Sequence, residues 1–358
     1  MKSYRIAVIP GDGIGKEVMP EGIRVLDRVS DLSGSFQFQF THFPWGCDYY
    51  REHGRMMAED GLKMLRDFDA ILFGAVGSPA VPDHISLRGL RLAICQGFDQ
   101  YVCYRPSELL PGVRSPLAGR EPGAIDFVVI RENTEGEYAG AGGRVHGGLP
   151  NEIAVETSIF SMVGVERVVR YAFNLAQKRR KHLVSATKSN AQQHALTFWD
   201  EVIEEVSRDF SEVRTESVLI DALAARFVLH PESLDVVVAS NLFGDILTDL
   251  GAAICGGLGI APSGNINPER TFPSMFEPVH GSAPDIAGKG IANPVGMIRS
   301  CAMMLEFLGE GEGATMVELS VRGALQQGTV RTPDLGGSAS TTESTDAVLS
   351  HMKKLGGE

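Results

Sequence analysis

Short apolar stretches alternate with longer amphipathic stretches along most of the chain. Apolar runs bounded by turn residues predict strands, and apolar residues spaced by three and four predict helices. The predicted strands are 6–9, 36–40, 70–73, 125–130, 182–185, 213–220 and 236–239. The predicted helices are 16–29, 61–68, 163–177, 191–207 and a last one around 345–355. This alternation indicates an α/β fold with helices layered on largely parallel strands, and glycine-rich residues 139–149 predict a projecting loop or hairpin.

Two aspartates lie four residues apart in the segment Asn241-Leu-Phe-Gly-Asp245-Ile-Leu-Thr-Asp249. On a helix this spacing places both carboxylates on one face, at the carboxyl end of the buried strand 236–239. Oxygen donors with no His or Cys nearby suit Mg²⁺ or Mn²⁺, although a solvated acidic face is the alternative. Asp221, after the strand 213–220, is a candidate third carboxylate.

The glycine-rich segment Pro10-Gly-Asp-Gly-Ile-Gly-Lys-Glu17 follows the first predicted strand and opens a helix. It is not a Rossmann fingerprint, because Lys16 stands where the third glycine belongs. It is not a Walker A loop, because the spacing is short and Glu17 replaces the hydroxyl residue. Two interpretations stay open, a tight turn into a helix and a close backbone approach to a ligand.

A second glycine-rich segment, 276–294, is predicted to be too irregular for a helix or strand. It carries His280, Asp285 and Asn293, and three polar side chains in one irregular segment favour a binding loop.

Two arginines and a lysine follow apolar stretches at predicted strand ends. Arg105 and Arg131 could each bind a carboxylate with two parallel hydrogen bonds, or they are surface charges. Lys188 follows the strand 182–185. These residues are candidates for anion binding and proton transfer.

Composition narrows the class of function. The chain is 43% hydrophobic and 22% charged, with a net charge of −12, which disfavours nucleic acid and anionic membranes as partners. Its five cysteines form no CxxC pair, so we expect reduced thiols and neither disulfides nor a zinc site. No apolar run reaches the ~20 residues of a membrane span, and residues 4–9 predict a strand, not a signal peptide. We therefore expect a cytoplasmic location.

Taken together, these motifs resemble the isocitrate/isopropylmalate family of metal-dependent, NAD-linked β-decarboxylating dehydrogenases, from residue 9 to about 308. The family resemblance is carried by Ile130-Arg-Glu-Asn-Thr-Glu-Gly-Glu-Tyr138, Ser240-Asn-Leu-Phe-Gly-Asp-Ile-Leu-Thr-Asp249 and Glu277-Pro-Val-His-Gly-Ser-Ala-Pro-Asp-Ile-Ala-Gly-Lys289. The tartrate and D-malate branch is most similar, through Phe98-Asp-Gln-Tyr-Val102, Ala186-Thr-Lys-Ser-Asn190, Ala224-Ala-Arg-Phe-Val-Leu229 and Asn267-Pro-Glu-Arg-Thr-Phe-Pro-Ser274.

The resemblance implies a two-domain α/β fold that is not a Rossmann domain. Residues 1–103 and 256–358 would form the cofactor-side domain, and 104–255 the inserted substrate and dimerisation domain. An arm at 139–157 would clasp a second subunit, giving a homodimer with shared active sites.

The resemblance also implies site residues. Asp245 and Asp249 would bind the divalent metal with Asp221 from the other subunit, and Tyr138 and Lys188 would transfer protons. Substrate carboxylates would be bound by Arg105 and Arg131, with Arg91 as a further candidate. The cofactor-binding residues would be Ile14, His280, Gly281, Ala283, Asp285, Ile286 and Asn293.

The implied cofactors are NAD and Mg²⁺ or Mn²⁺, and a monovalent cation such as K⁺ stays open. The family's NADP users have Lys-Tyr where this chain has Asp285-Ile286. An aspartate accepts hydrogen bonds from a ribose diol and repels a 2′-phosphate, so NAD is predicted.

One departure from the family concerns the helix before Arg105. Cys95 stands where the family usually has an arginine, and Arg91 or Arg88 is a candidate replacement. The polar segment 86–91 suits a small substrate with only hydrogen or hydroxyl at C3.

The sequence thus predicts NAD-dependent oxidation and decarboxylation of small 2-hydroxy dicarboxylic acids, namely D-malate to pyruvate and CO₂, and tartrate isomers. Within the family, the alternative is an isopropylmalate or isocitrate/homoisocitrate-type dehydrogenase. Outside it, the alternatives are a Mg²⁺-dependent phosphate-transfer enzyme built on residues 11–16 and a non-catalytic carboxylate-binding module.

Overall fold

The computed structural model describes residues 1–357, which form alternating strands and helices. The strands are β1 (Lys2–Gly11), β2 (Phe36–His42), β3 (Ala70–Ala75), β4 (Val102–Glu108), β5 (Asp126–Glu132), β6 (Gly136–Val145), β7 (Ile153–Ile159), β8 (His182–Thr187), β9 (Arg214–Leu219), β10 (Val236–Ala239), β11 (Pro262–Ile266) and β12 (Ser274–Pro278).

The helices are α1 (Gly15–Ser33), α2 (Cys47–His53), α3 (Gly61–Leu65), α4 (Asp83–Ser86), α5 (Leu92–Gly97), α6 (Met162–Lys178), α7 (Ala195–Ser207), α8 (Ile220–Leu229), α9 (Asn241–Ile254), α10 (Val295–Leu308), α11 (Gly311–Gln327) and α12 (Thr341–Gly356). A π-helical turn, Leu87–Arg91, joins α4 to α5. None of the helices within residues 1–357 is long and apolar enough to cross a membrane.

The chain forms two compact units. Unit 1 comprises residues 1–100, 105–125 and the chain from 251 onward, and unit 2 comprises 101–104 and 126–250. β4 contributes residues to both units. The predicted domain boundaries, 103/104 and 255/256, differ from the limits of these two units mainly over residues 105–125. Those residues make their contacts within unit 1; for example, Leu109 N–H donates to the carbonyl of Ile125.

Unit 1 is built on five neighbouring strands in the order β2-β1-β3-β12-β11. β1 pairs in parallel with β2 and β3, and β12 pairs in parallel with β3. All six residues of β3 are buried, as expected of a parallel strand covered on both faces. β11 and β12 are antiparallel, with Ser263 directly opposite Glu277, so these two side chains lie on the same face.

A glycine turn connects β1 to α1. Gly11 (φ 68°) and Gly13 (φ 52°) have left-handed conformations, and a Cβ at Gly11 would lie 1.8 Å from the carbonyl oxygen of Ala75. Only glycine fits this close approach without strain. The turn therefore fixes where the first helix begins.

Unit 2 contains four neighbouring parallel strands in the order β5-β10-β8-β9. The central strand β10, Val-Val-Val-Ala, is buried along its whole length. The N-cap residue of α6 is Ser161, whose hydroxyl accepts a hydrogen bond from Gly164 N–H. The buried Trp199 of α7 donates its indole N–H to Ser185 of β8 at 2.9 Å, which fixes that helix on the sheet.

The predicted projecting hairpin is confirmed as the antiparallel pair β6–β7. Val145 lies opposite Ile153, so both side chains are on one face, with Val155 two residues further along β7. These three side chains are about half exposed. A two-stranded hairpin with an exposed apolar face is marginally stable on its own.

The predicted α/β alternation is confirmed, and two local predictions are wrong. Residues 220 and 221 are not at the end of a strand, because β9 ends at Leu219 and Asp221 lies in the first turn of α8. Residues 276–278 are not irregular, because they belong to β12, which pairs with β11 and with β3.

Candidate functional site

A buried arginine at the end of β5 organises the first cluster of predicted site residues, in unit 2. Arg131 is 1% exposed and donates from Nε and Nη2 to Asn241 Oδ1 at 2.9 and 2.7 Å. Its Nη1 donates to Asp245 Oδ1. A Cβ at Gly244 would lie 2.6 Å from the Arg131 side chain, so glycine is needed there for α9 to pack on the guanidinium stem.

Tyr138 completes this cluster. Its hydroxyl donates to Asp245 Oδ2 at 3.0 Å, and its ring lies 5.3 Å from the Arg131 guanidinium carbon, within range of a cation–π contact. The Asp245 side chain is 37% exposed. A phenol hydroxyl, a carboxylate and a guanidinium group thus lie together at the carboxyl end of β5, where α/β proteins bind ligands.

The donor set fits a divalent ion in part. Asp249 follows Asp245 by one helical turn on α9 and is exposed, so both carboxylates are accessible oxygen donors. Within residues 1–357 of one chain, no three His, Cys, Asp or Glu side chains lie together as a metal site. Of the three predicted metal carboxylates, Asp245 and Asp249 therefore lie together on α9, and Asp221 is not placed beside them.

Lys188 and Asp221 form a separate pair in unit 2. Lys188 Nζ, just beyond β8, donates a hydrogen bond to Asp221 Oδ1. The hydrogen bond from Lys188 and the lysine charge hold the pKa of the Asp221 carboxyl below its usual range. Asp221 is well exposed, with 65% of its side chain accessible. This pairing could not be predicted from the sequence, because the end of β8 and the start of α8 come together only in the folded unit.

The other two predicted substrate arginines lie in unit 1, on the face of the β11–β12 pair. Arg91 donates from Nε to Glu277 Oε1 at 2.8 Å, and its Nη2 lies 2.7 Å from the same oxygen. The same Nη2 donates to Asn265 Oδ1 at 3.1 Å, and Arg105 Nε donates to Ser263 Oγ at 3.3 Å. Sequence reasoning gave no role to Asn265 or Glu277, although Glu277 opens one of the family segments.

Cys95 is a core residue. Its side chain is fully buried and packs with Leu90, Ile94, Phe98 and Met275. The position that usually holds an arginine in the family is therefore apolar here, and Arg91, at the end of the π-helical turn, is the helix's buried cation.

The two glycine-rich segments lie against each other in unit 1. Ile14 N–H donates to the carbonyl of Ser282 at 2.9 Å, and a Cβ at Gly13 would lie 2.0 Å from that oxygen. Glu17 accepts hydrogen bonds from Gly288 and Gly290 N–H at 2.5 and 2.9 Å. Glu17 therefore holds the second glycine-rich segment against α1. The comparison with the Walker A motif gave no indication of this role.

The 280–293 loop fits an adenosine group. Burial lowers the pKa of His280, so the ring is neutral, and Nδ1–H donates to the Gly281 carbonyl at 3.0 Å. The buried Nε2 then carries a lone pair and has no partner within residues 1–357, which suits a donor such as the exocyclic amine of adenine. Asn293 donates to Asp334 at 3.0 Å.

The remaining predicted cofactor residues lie on the same loop. Asp285 is exposed and Ile286 partly buried. Ala283 has φ 40°, and Ile286 N–H donates to its carbonyl at 3.1 Å, so this part of the loop is a tight turn. The acidic, accessible Asp285 is compatible with a ribose diol.

Known proteins share this fold and sequence over nearly the whole chain. A probable tartrate dehydrogenase/decarboxylase of Agrobacterium vitis is 55% identical over 349 residues, 97% of each protein. The D-malate dehydrogenase [decarboxylating] of Escherichia coli (strain K12) is 55% identical over 355 residues, 97% of this chain and 98% of that protein. The solved isocitrate dehydrogenase from Methylococcus capsulatus superposes with a TM-score of 0.87 at 30% identity, covering 98% and 99% of the two chains.

These similarities define an oxidoreductase of the decarboxylating dehydrogenase class. The family model described as isocitrate/isopropylmalate dehydrogenase matches residues 5–348. The chain belongs to the isocitrate/isopropylmalate dehydrogenase family, so the fold class predicted from the sequence motifs is confirmed.

Proposed function

We propose that this protein oxidises and decarboxylates small 2-hydroxy dicarboxylic acids, D-malate to pyruvate and CO₂ and also tartrate isomers, with NAD and Mg²⁺ or Mn²⁺. The observation that carries the proposal is the contact of Arg131, Tyr138 and Asp245 at the end of β5. The names of the two relatives that are 55% identical support the same substrates.

Arg131 and Arg105 bind the two substrate carboxylates. Each guanidinium is almost fully buried and held by side-chain oxygens, so each donates in a fixed direction. Fixed, desolvated guanidinium groups bind carboxylates more strongly than solvated lysines do. Two such groups match a dicarboxylate, and the uncharged C3 substituent of malate or tartrate needs no third.

Two side chains transfer the protons. Lys188 takes the proton of the C2 hydroxyl, and Tyr138 delivers one to C3 after CO₂ leaves. The proton removed and the proton added cancel, so D-malate and NAD⁺ give pyruvate, CO₂ and NADH without net proton release. When bound, NAD⁺ accepts the hydride from C2 and the divalent ion polarises the ketone oxygen.

Asp245 and Asp249 would hold the divalent ion and the 280–293 loop would hold the adenosine of NAD. The neutral His280 ring, with its unpaired Nε2, accepts from adenine, and Asp285 accepts from the ribose hydroxyls. The Asp285 carboxylate would repel the 2′-phosphate of NADP.

A second copy of the chain supplies Asp221 and Lys188 in this proposal. The support is that one chain gathers only two of the three carboxylates, and that the β6–β7 hairpin exposes an apolar face. A partner hairpin would cover Val145, Ile153 and Val155. Light scattering after gel filtration should give about twice the 38.6 kDa chain mass, and Val155→Glu should shift the mass toward that of one chain.

The function is tested by a side-by-side assay. We expect NADH formation with D-malate or tartrates to exceed that with isopropylmalate or isocitrate, to need Mn²⁺ or Mg²⁺, and to be abolished by a chelator. Turnover restricted to isopropylmalate or isocitrate would refute the substrate assignment. Phosphate release from a nucleoside triphosphate would favour a phosphate-transfer enzyme. The Ile14–Ser282 hydrogen bond argues against such an enzyme, because it already occupies a backbone N–H of the glycine-rich loop.

A further inference from the structure

Two glutamates in the segment 135–138 bind the starts of two different helices. Glu135 accepts hydrogen bonds from the N–H and the hydroxyl of Ser161, the N-cap residue of α6, at 2.9 and 2.6 Å. Glu137 accepts from Leu242 N–H at 3.0 Å and from the Ser240 hydroxyl at 2.8 Å, at the start of α9. The two helices differ in what they carry. α9 contains two of the predicted metal carboxylates, and α6 contains none of the predicted site residues.

The first turn of α9 takes its capping acceptor from outside the helix. The N–H groups of a first helical turn have no acceptor within the helix, and a serine before the helix ordinarily supplies one. Here the Ser240 hydroxyl donates to Glu137 Oε1, and the N–H of Leu242, the second residue of α9, donates to Glu137 Oε2. The helix dipole also favours a carboxylate at this end. Glu137 therefore caps α9 from a strand that is distant in the sequence.

Glu137 and Tyr138 attach consecutive positions of β6 to successive parts of α9. Glu137 binds the first turn, and the Tyr138 hydroxyl donates to Asp245 Oδ2 at 3.0 Å, about one turn further on. Gly136, just before them, has φ 69°, and a Cβ there would lie 3.3 Å from the Asn241 Cβ, so the strand runs close to the helix start. The position of α9 relative to β6 therefore determines where Asp245 lies relative to Tyr138.

We propose that Glu137 is a positioning residue that fixes the start of α9 and so holds Asp245 and Asp249 in place for the divalent ion. The proposal rests on the proposed function, in which those two carboxylates bind the ion. In this role Glu137 contacts the helix and neither the ion nor the substrate. Local spacing gives no sign of the role, because Glu137 and Leu242 are 105 residues apart.

The binding test compares Glu137→Gln with Glu135→Gln in the full-length protein. Each change removes one negative charge from the same segment and weakens the attachment of one helix start, so both should lower the urea midpoint. Calorimetric titration should show Mn²⁺ affinity at least ~10-fold weaker in Glu137→Gln, the lower end of the effect of removing a group that orients a metal ligand. The affinity of Glu135→Gln should be that of wild type. Equal Mn²⁺ affinities in the two variants, whether both reduced or both unchanged, would overturn the proposal.

Hydrogen exchange measured by mass spectrometry gives a readout that needs no metal ion. The Leu242 amide at the start of α9 should lose protection in Glu137→Gln and keep it in Glu135→Gln. The Ser161 amide, which Glu135 binds, should show the reverse pattern. Weaker Mn²⁺ binding with unaltered exchange at the start of α9 would overturn the proposal, because the loss would then come from the charge of Glu137 alone.

Failure of the proposed function gives a different result. If wild type binds no Mn²⁺, the assignment of the ion to Asp245 and Asp249 fails, whereas loss of protection confined to Glu137→Gln would still show that Glu137 fixes α9. Light scattering should give both variants the wild-type mass. If Glu137→Gln does not fold or changes that mass, Ser240→Ala takes its place, because it removes one of the two hydrogen bonds to Glu137. Unaltered exchange and Mn²⁺ affinity in Ser240→Ala would then refute the role.

Discussion

Two arginine–carboxylate pairs in this protein use the same groups in opposite ways. In unit 2, Arg131 pairs with Asp245, whose side chain is 37% exposed and also accepts from Tyr138. In unit 1, Arg91 pairs with Glu277, whose side chain is 6% exposed and also accepts from Asn265. Both arginines are nearly fully buried.

The exposure of the carboxylate separates the two pairs. An accessible carboxylate can exchange its arginine for a metal ion or a substrate, because water and ligands reach it. A buried one cannot be left unpaired without a large desolvation cost. We therefore expect chemistry at the Asp245 pair and a structural role for the Glu277 pair.

The largest expected effect is on turnover at the accessible pair. Asp245→Asn removes one negative charge from the proposed metal site while keeping the side-chain shape, so we expect NADH formation from D-malate to fall at least ~10²–10³-fold at saturating Mn²⁺. The exposed Asp209, which pairs with Arg170, gives the control Asp209→Asn, expected to be unaffected. Near-normal turnover of Asp245→Asn would contradict the proposed role of Asp245 in the metal site.

The next effect separates the two steps of the reaction. Tyr138→Phe keeps the ring under Arg131 and removes the hydroxyl that would protonate C3. We expect decarboxylation of added oxaloacetate to fall ~10²-fold, with NADH-dependent reduction of the same ketone much less affected. Equal losses in the two partial reactions would remove Tyr138 from the role of specific acid.

A smaller effect contrasts the stability of the two pairs. Arg91→Met should lower the free energy of unfolding in urea by ~1–3 kcal/mol, because the buried Glu277 carboxylate loses a charged partner and keeps the hydrogen bond from Asn265. Asp245→Asn should cost less than Arg91→Met, because Asn241 still accepts from the buried Arg131 and the side chain at 245 is partly solvated. Equal costs would show that exposure does not separate the pairs.

The smallest expected effect is the contribution of the buried His280 to the pH dependence of stability. The folded-state pKa of His280 is lowered by burial, so the unfolded chain binds the proton more readily. Stability is therefore full above the ordinary histidine range near 6.5 and falls as the pH drops below it. His280→Gln should have a shallower decrease in urea midpoint between pH 7.5 and 5.5. Parallel decreases in both proteins would assign the dependence to other groups.

The sequence predicts the layers of the fold and the motifs of the site, but not how side chains pair. Strands such as β10 are recognisable because buried parallel strands are continuous apolar runs. The start of α8 at Ile220 cannot be recognised in the sequence, because β9 passes directly into α8 with no glycine or proline to mark the change.

Long-range pairs cannot be deduced from local spacing. Arg91 and Glu277 are 186 residues apart, and only the π-helical turn and the β11–β12 register bring them together. The roles of Glu17 and Asp334 depend in the same way on segments that meet only after folding.

Calorimetric titration of Mn²⁺ into wild type, Asp245→Asn and Glu277→Gln tests the central claim most directly, because it needs neither substrate nor turnover. We expect binding to wild type, retention of that affinity in Glu277→Gln, and a loss of at least ~10-fold in Asp245→Asn. Unchanged Mn²⁺ binding to Asp245→Asn, or an equal loss in both variants, would contradict the assignment of the ion to the accessible carboxylate.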